Sequence, residues 1–249
     1  MKLALSLIAA LAFATPALSQ DAAVSGIDSV EFDFGIGAIA KPKYAGADDH
    51  DVGPWVTLRN LRVGTYGGRD SANGFSILPN FDIMGPREED DDDALKGMDD
   101  ISRAYEAGVK LAYTRDGLST YGTVRKGFGG HHGVVGELGV KYDFATSDKW
   151  SFQAGVEAGY GDSKLNETYF GVSAKEAANT EYSEYKPGGG FNTAAAILEA
   201  RYQLTEKTAL LGEVRFLRIV GDAADSPIVQ DKNQPTLRLG IVRRLNFNF

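Results

Sequence analysis

The stretch from Trp150 to Gly161 repeats with a period of two. Its sequence, WSFQAGVEAGYG, places apolar residues on one parity and polar residues or glycine on the other. This is the period of a β-strand with one apolar and one polar face. The apolar face carries Trp150, Phe152 and Tyr160 near its ends and small apolar residues between them. Aromatic ends around an apolar middle are typical of a strand that crosses a bilayer.

The N-terminus indicates which membrane such a strand would meet. Lys2, the apolar run 3–13 and the small residues 17–19 together predict a secretory signal peptide over residues 1–19. We expect residues 20–28 to form a periplasmic N-terminal segment and residues 29–249 to form the membrane domain. The remaining sequence has no apolar stretch of about 18 residues, so it contains no candidate membrane helix. A closed β-barrel is then the structure that satisfies every backbone group inside a bilayer.

Alternating segments recur along the chain and predict an antiparallel barrel of ten strands. The gaps between the segments are alternately long and short, as expected for long outer loops and short periplasmic turns with both termini inside. Twelve strands would require the region 54–72 to be divided by a turn at Asn60. The clearer strands fall near 29–40, 105–113, 134–144, 150–161, 193–204 and 237–249, and the weaker ones at 54–66, 74–85, 117–128 and 207–220.

Composition excludes several classes of function. The chain has no cysteine, which removes disulfides, thiolate catalysis and cysteine-ligated metals. Its formal net charge of -8 argues against a nucleic-acid partner. The composition is even along the 249 residues, without a linker-like segment, so we expect one barrel domain.

The inward parity of the predicted strands carries acids and bases in nearly equal numbers. A barrel of about ten strands is only slightly wider than one whose interior side chains fill the lumen. We therefore expect opposed charges to pair across it and to leave a plugged or very narrow pore. The predicted lumen charge network comprises Glu106, Lys110, Arg125, Glu137, Lys141, Glu157, Glu199, Arg201, Glu213, Arg215, Arg238 and Arg244.

Two groups of polar residues suggest chemistry, and each has a simpler interpretation. The acidic run 87–93 could hold a divalent cation or bridge to lipopolysaccharide phosphates, but it lacks the spacing of an EF-hand and is also what a solvated loop looks like. His50, His131 and His132 lie in outer loops, where a serine such as Ser173 or Ser226 could act as nucleophile in a rim hydrolase or acyltransferase. No nucleophile elbow supports this. We therefore predict no metal site, no cofactor and no catalytic residue.

The last strand carries an exception and a signal. Arg243 interrupts its lipid-facing parity, and such a charge costs little only near an interface, at a bulge or in an oligomer contact. The C-terminal residues Phe247 and Phe249 continue that parity. A terminal aromatic of this kind resembles the signal that barrel-assembly machinery reads.

The predicted loops carry a series of short motifs: KPKYAG at 41–46, GP at 53–54, LKGMDDI at 95–101, GHHG at 130–133, YFGVS at 169–173 and SPIV at 226–229. By their order and spacing, these motifs resemble the MltA-interacting protein family, also called MipA/OmpV, and the resemblance spans the mature chain. It implies an outer-membrane protein of a Gram-negative bacterium, and a scaffold that joins a murein-cleaving lytic transglycosylase to a murein synthase. Lipid and lipopolysaccharide would be further partners; the alternatives are a narrow channel for small solutes and the rim enzyme.

Every one of these internal motifs falls in a predicted outer loop. We expect these loops to converge into a cap over the barrel mouth, with Tyr169 and Phe170 packed inward, because an exposed apolar pair would otherwise mark a contact surface. A splayed arrangement would instead indicate a surface-binding site. The cap candidates are Pro42, Tyr44, Gly46, Gly97, Met98, Asp100, His131, Tyr169, Phe170, Gly171, Ser226 and Pro227.

Overall fold

The computed structural model describes residues 27–65 and 73–248, which form ten antiparallel strands. The predicted signal peptide, residues 20–26 and Phe249 lie outside the described residues. The predicted ten-stranded antiparallel architecture is confirmed. The strands are β1 (Ile27–Pro42), β2 (His50–Thr65), β3 (Gly74–Met84), β4 (Ala104–Arg115), β5 (Leu118–Gly129), β6 (Val134–Ala145), β7 (Trp150–Gly161), β8 (Gly190–Thr205), β9 (Thr208–Ile219) and β10 (Asn233–Asn248).

The strands form one curled sheet in which almost every neighbour in sequence is also a neighbour in space. Its order is β2-β1-β10-β9-β8-β7-β6-β5-β4-β3. The N-terminal and C-terminal strands pair along most of their length, from Ser29 opposite Asn248 to Ala40 opposite Leu237. β2 and β3 are the two ends of this order, and the described residues contain no ladder between them.

The period-two pattern sorts side chains to the two faces of the wall. Outward residues such as Val56, Val156 and Leu239 are largely exposed, which is the arrangement expected of a surface that contacts acyl chains. Inward residues, such as Glu213 and Leu211 of β9, are buried. The interior of the barrel therefore holds most of the charged groups of the strands.

The region 54–72 bears on the twelve-strand alternative. β2 runs without a turn from His50 to Thr65 and begins four residues earlier than the sequence predicts. Its register against β1 shifts between the pairs Asp33 with Arg59 and Glu31 with Arg62, so one extra residue is accommodated on β2. A β-bulge near Asn60 thus takes the place of the turn that two further strands would require.

Helical segments occupy the long connections. Two short 3₁₀ helices (Glu89–Asp91 and Asp93–Leu95) lie between β3 and β4, α1 (Ser163–Phe170) and α2 (Ala174–Asn179) lie between β7 and β8, and α3 (Gly221–Ala224) lies between β9 and β10. The opposite end has short turns, such as Asp116 and Gly117, which both have positive φ as a two-residue hairpin turn requires. Within the described ranges, no helix combines the length and the apolar character that a membrane span needs.

Candidate functional site

A first apolar cluster closes the outer mouth beneath the β7–β8 connection. α1 begins at Asp162, whose carboxylate accepts a hydrogen bond from the Leu165 amide at 2.9 Å, an N-cap that fixes where the helix starts. The helix then directs Leu165, Tyr169 and Phe170 inward, where all three are buried. They pack against Ile101 of the β3–β4 loop, Ile219 at the end of β9, and Ala223 and Ala224 of the β9–β10 loop.

A second apolar cluster joins four of the outer loops. It contains Tyr44 and Ala47 after β1, Leu95 and Met98 after β3, Val172 after α1 and Ile228 before β10. Leu95, Val172 and Ile228 have no exposed surface. Side chains from four loops therefore share one buried core. We call the two clusters, together with their loops, the cap.

Hydrogen bonds between loops fix the cap in one arrangement. The Tyr44 hydroxyl donates to the Ile228 carbonyl at 2.9 Å, and the Ser226 hydroxyl donates to the Phe170 carbonyl at 2.6 Å. Glu176 accepts from the Asp99 amide at 3.0 Å and so links α2 to the β3–β4 loop. Each of these bonds joins two loops that are distant in sequence.

Glycines allow the loops to approach one another closely. Gly97 has a φ of 84°, and a Cβ there would lie 2.6 Å from the Asn179 carbonyl oxygen. Gly46 has a φ of 107° and its amide donates to the side-chain oxygen of Gln234 at 3.0 Å. L residues rarely adopt such backbone angles, so both positions favour glycine.

The other cap candidates have smaller contacts. Gly171 is buried, and its amide donates to the Glu167 carbonyl at the end of α1. Pro42 is the last residue of β1, opposite His50, and Pro227 is half-buried. Asp100 is exposed and accepts a hydrogen bond from the Glu89 amide at 2.9 Å.

Arg87 lies inside the cap rather than on the acidic surface beside it. Its side chain is buried and donates to the Tyr169 carbonyl at 3.2 Å, and burial lowers the pKa of this guanidinium. Burial raises the pKa of the neighbouring Tyr169 phenol to about 12. The Tyr169 hydroxyl is also buried without a hydrogen-bond partner among the described residues.

His131 connects the cap to the lumen. Its imidazole is fully buried, with Nε2 3.0 Å from a Glu106 carboxylate oxygen and Nδ1 accepting from the Gly133 amide at 3.3 Å. The ring also meets Tyr169 edge to face, with centroids 5.6 Å apart. A Cβ at position 127 would lie 2.1 Å from this ring, so Gly127 leaves the space that the histidine fills.

Arg125 organises the upper lumen. Its guanidinium donates to Glu106 and Glu137, each at 2.7 Å, and to the side-chain oxygen of Asn80 at 2.8 Å. Only 5% of the arginine side chain is exposed. The group therefore binds β3, β4, β5 and β6 together from inside the barrel.

Arg59 fills the middle of the lumen from the edge strand β2. Glu199 and Glu213 lie directly opposite each other on β8 and β9, and like charges in that position repel. Arg59 donates to both carboxylates, reaching past β1 and β10, and Arg238 donates to Glu213 at 2.5 Å. These contacts hold the sheet in its curled form.

The remaining inward charges divide into two kinds. Arg215 donates to Glu157 at 2.5 Å; Arg201 donates to Asp33 at 2.9 Å, and Arg244 lies 3.3 Å from the same aspartate. Lys110 and Lys141 instead lie over the ring of Tyr121, at 4.2 and 5.3 Å from its centroid, in the cation–π arrangement. Arg201 and Glu199, both members of the predicted lumen network, pair with Asp33 and Arg59 respectively.

The residues weighed for catalysis do not form a catalytic arrangement. The Ser173 hydroxyl caps α2 by accepting from the Glu176 amide, and the Ser226 hydroxyl donates to a carbonyl. His131 contacts Glu106 and neither serine. Within the described ranges no group of three acidic or histidine side chains is placed to hold a metal ion, and Asp92 and Asp93 pair with Lys43 and Lys96.

The last strand places its exceptions at the periplasmic end. Arg243 is exposed and lies opposite Thr208, the first residue of β9 after the turn, where a charge reaches the interface at little cost. Phe247 is exposed on the same face and stacks on Phe32 of β1 at 5.9 Å. Phe249 lies outside the described residues.

Sequence reasoning missed four contributors to this site. Arg59 was overlooked because the bulge near Asn60 disturbs the parity of β2, and Arg87 because it begins an acidic run. Tyr121 and Asn80 were not assigned to the lumen because they are uncharged. The capping box formed by Ser173 and Glu176 is a sequence signal that could have located α2.

Comparison with known proteins identifies the family of this ten-stranded protein. The family described as MltA-interacting protein MipA matches residues 34–245. The chain belongs to the MltA-interacting protein family. Its relatives in Escherichia coli strain K12 and Shigella flexneri, both called MltA-interacting protein, are 24% identical over 190 residues, which is 74% of this chain and 74% of each relative.

Solved outer-membrane proteins align with the chain at low similarity. OprD of Pseudomonas aeruginosa is 14% identical, with 71% of this chain and 49% of OprD covered and a TM-score of 0.36. OmpT of Vibrio cholerae is 9% identical, with 92% and 99% covered and a TM-score of 0.34. By its strand architecture and its family match, the protein is an outer-membrane β-barrel of the MltA-interacting protein family.

Proposed function

We propose that the protein is a non-enzymatic scaffold of the outer membrane that binds murein-remodelling enzymes, a lytic transglycosylase and a murein synthase, from its periplasmic side. The observation that carries this proposal is the closure of the barrel by the cap and by the paired lumen charges, which suits a binding protein better than a pore. The relatives in Escherichia coli and Shigella flexneri are named for an interaction with MltA, and the proposal extends that property to this chain.

If the outer mouth is closed, a periplasmic enzyme can bind only to the few segments on the periplasmic side. They are the turns at 116–117, 146–149 and 206–207, together with the predicted N-terminal segment 20–28. The turn 146–149 offers exposed charges, Asp148 and Lys149, on a backbone that Ser147 stabilises by accepting from the Trp150 amide at 3.1 Å. We also infer that lipopolysaccharide and lipids contact the apolar outer wall.

Crosslinking in intact envelopes tests the scaffold role. The tagged full-length protein is crosslinked, purified and analysed by mass spectrometry for murein hydrolases and synthases. The charge-swapped pair Asp148→Lys and Lys149→Glu should reduce their recovery, and the matched pair Asp93→Lys and Lys96→Glu in the outer loop should not. Absence of any murein enzyme from the wild-type sample, or equal loss in both variants, contradicts the proposal.

Two alternatives make distinct predictions. A rim enzyme would hydrolyse or transfer acyl groups, and both serines that the sequence offers have their hydroxyls hydrogen-bonded in the cap. Lipid or peptide turnover by the purified protein would support the rim enzyme instead. A narrow channel would conduct ions, which a planar bilayer measures directly.

A further inference from the structure

Within the described residues, the wall has a seam between the edge strands β2 and β3. Each of β2 and β3 pairs on one side, with β1 and β4 respectively, and the described residues show no ladder between their free edges. Both strands carry a proline, Pro54 and Pro79, a residue that is confined to edge strands and bulges because it cannot donate to a ladder. The free backbone groups of such an edge need polar partners inside a bilayer.

A polar cavity of about 380 Å³ reaches this seam from the lumen. Its size lies within the range of about 300–1,000 Å³ that is usual for small-molecule sites. The lining includes Phe81 of β3, whose side chain is on the lipid-facing parity and is 72% exposed. The cavity thus extends to the edge of the wall rather than ending inside it. The charged and polar residues around it are Asn80, Asp82, Arg125, Glu137, Glu157, Arg215 and Arg238.

The cavity presents both signs of charge in balance. Three guanidinium groups and three carboxylates line it. Arg238 uses one terminal nitrogen for Glu213, while its Nε is buried and has no partner among the described residues. A buried donor without a partner costs free energy that a bound acceptor would recover. Asp82, more than half exposed, offers a carboxylate at the β3 side.

The surroundings of the seam decide what kind of molecule fits. On the lipid face, β3 presents Ile77, Phe81 and Ile83 and β2 presents Val56 and Leu58, all of them exposed. A polar solute would have to cross hydrocarbon to enter here, whereas an amphiphile can place its head group in the cavity and its chains on these side chains. A lining with both charges favours a head group that also carries both.

We propose that the β2–β3 seam binds a phospholipid with a zwitterionic phosphoethanolamine head group. The phosphate accepts from Arg238 Nε and the ammonium lies near Asp82, while the acyl chains follow the outer faces of β2 and β3. The depth of Asp82 in the wall agrees with this arrangement. Asp82 is one residue from Ile83, which lies opposite Tyr105, and outward aromatic residues such as Tyr105 mark the head-group level of a barrel wall. The site is independent of the murein role.

Native mass spectrometry of the full-length protein in non-ionic detergent tests the site. Phosphatidylethanolamine should remain bound at a stoichiometry of one, and phosphatidylglycerol and lipid A should be retained at least about tenfold less. Arg238→Lys keeps a cation beside Glu213 but removes Nε, so it should weaken retention about tenfold, the loss expected for one charge-assisted hydrogen bond. Arg244→Lys, an inward arginine outside the cavity, should behave as wild type.

Three results would overturn the inference. They are equal retention of phosphatidylethanolamine and phosphatidylglycerol, equal effects of the two arginine variants when both remain folded, and retention of several lipids without saturation at one. Hydrogen exchange supplies an independent measurement. The β3 amides on the free edge should exchange faster than those of β9, and strong protection of β3 in lipid-free protein would mean that the seam is closed by a ladder.

Discussion

The cap and the lumen close the same barrel by different physical means. The cap has two apolar clusters in which loops share buried side chains, and its hydrogen bonds run mostly to backbone carbonyls. The lumen is held by arginines between carboxylates, and its apolar cluster is smaller, with Trp55, Ala209, Leu211 and Val242. Apolar burial stabilises roughly in proportion to area, whereas a buried ion pair is strongly sensitive to the loss of one partner.

This difference indicates which parts of the barrel tolerate substitution and which do not. A cap residue can be exchanged for another of similar volume with a modest loss of stability. Loss of the charge of a lumen arginine costs more, because it leaves a buried carboxylate without its cation. Arg59 and Arg125 each pair with carboxylates on two strands. The buried His131 contacts both regions, through Tyr169 above and Glu106 below.

The largest effect is expected from removing Arg125. Arg125→Met leaves Glu106 and Glu137 buried without their cation, which should destabilise the barrel by about 3–5 kcal/mol. Urea-induced unfolding in detergent or liposomes measures this. Arg115→Met, at an exposed periplasmic turn, is the matched control and should change stability by less than about 1 kcal/mol. Similar losses for the two variants would show that the lumen pairs do not hold the strands together.

A smaller and more local effect is expected in the cap. Leu95→Ala removes a side chain without exposed surface and should cost about 2–5 kcal/mol, chiefly as local opening of the outer loops. Proteolysis of the outer loops should accelerate while the gel mobility shift of the folded barrel persists. Val52→Ala, on an exposed position at the outer end of β2, is the control. Unfolding of the whole barrel by the Leu95 variant would contradict the separation of cap and lumen.

The smallest effect is a pH dependence confined to the cap. Burial raises the pKa of Tyr169 to about 12 and raises that of Tyr44 above its usual range. An unfolded tyrosine ionises near pH 10, so cap stability should be complete below about pH 10 and fall as pH approaches 12, by up to about 1.4 kcal/mol per pH unit for each phenol. Phenolate absorbance and loop proteolysis across this range measure it.

Tyr169→Phe is the matched control for that titration. It removes one of the two phenols and also the buried hydroxyl without a partner. Its stability at neutral pH should stay within about 1 kcal/mol of wild type, with a flatter decline above pH 10. An unchanged decline would mean that Tyr169 does not contribute to the pH dependence.

The wall could be predicted from the sequence because one local rule governs it. Alternation at Trp150–Gly161 and its equivalents gives ten strands, and alternating gap lengths give their direction. The rule fails where the backbone departs from it. β2 starts at His50 because the residues before Trp55 pair with β1 without an apolar pattern, and the bulge near Asn60 hid Arg59.

The site was less accessible to sequence reasoning because it depends on contacts between distant strands. Period two predicted which charges face inward, but the partner of each charge depends on the curl of the sheet. Arg201 therefore reaches Asp33 of β1 rather than a neighbour on β7 or β9. In the cap, the motif at 169–173 suggested an inward Tyr169 and Phe170, while the burial of Arg87 follows only from how the loops fold together.

Planar-bilayer conductance of the purified full-length protein tests the central claim most directly. A barrel that is closed by its cap and filled by paired charges should show no steady open pore, and Arg125→Met, where it remains folded, should admit small intermittent currents. A large and steady porin-like conductance from the wild-type protein would contradict the closed barrel, and with it the reason for preferring a scaffold to a channel.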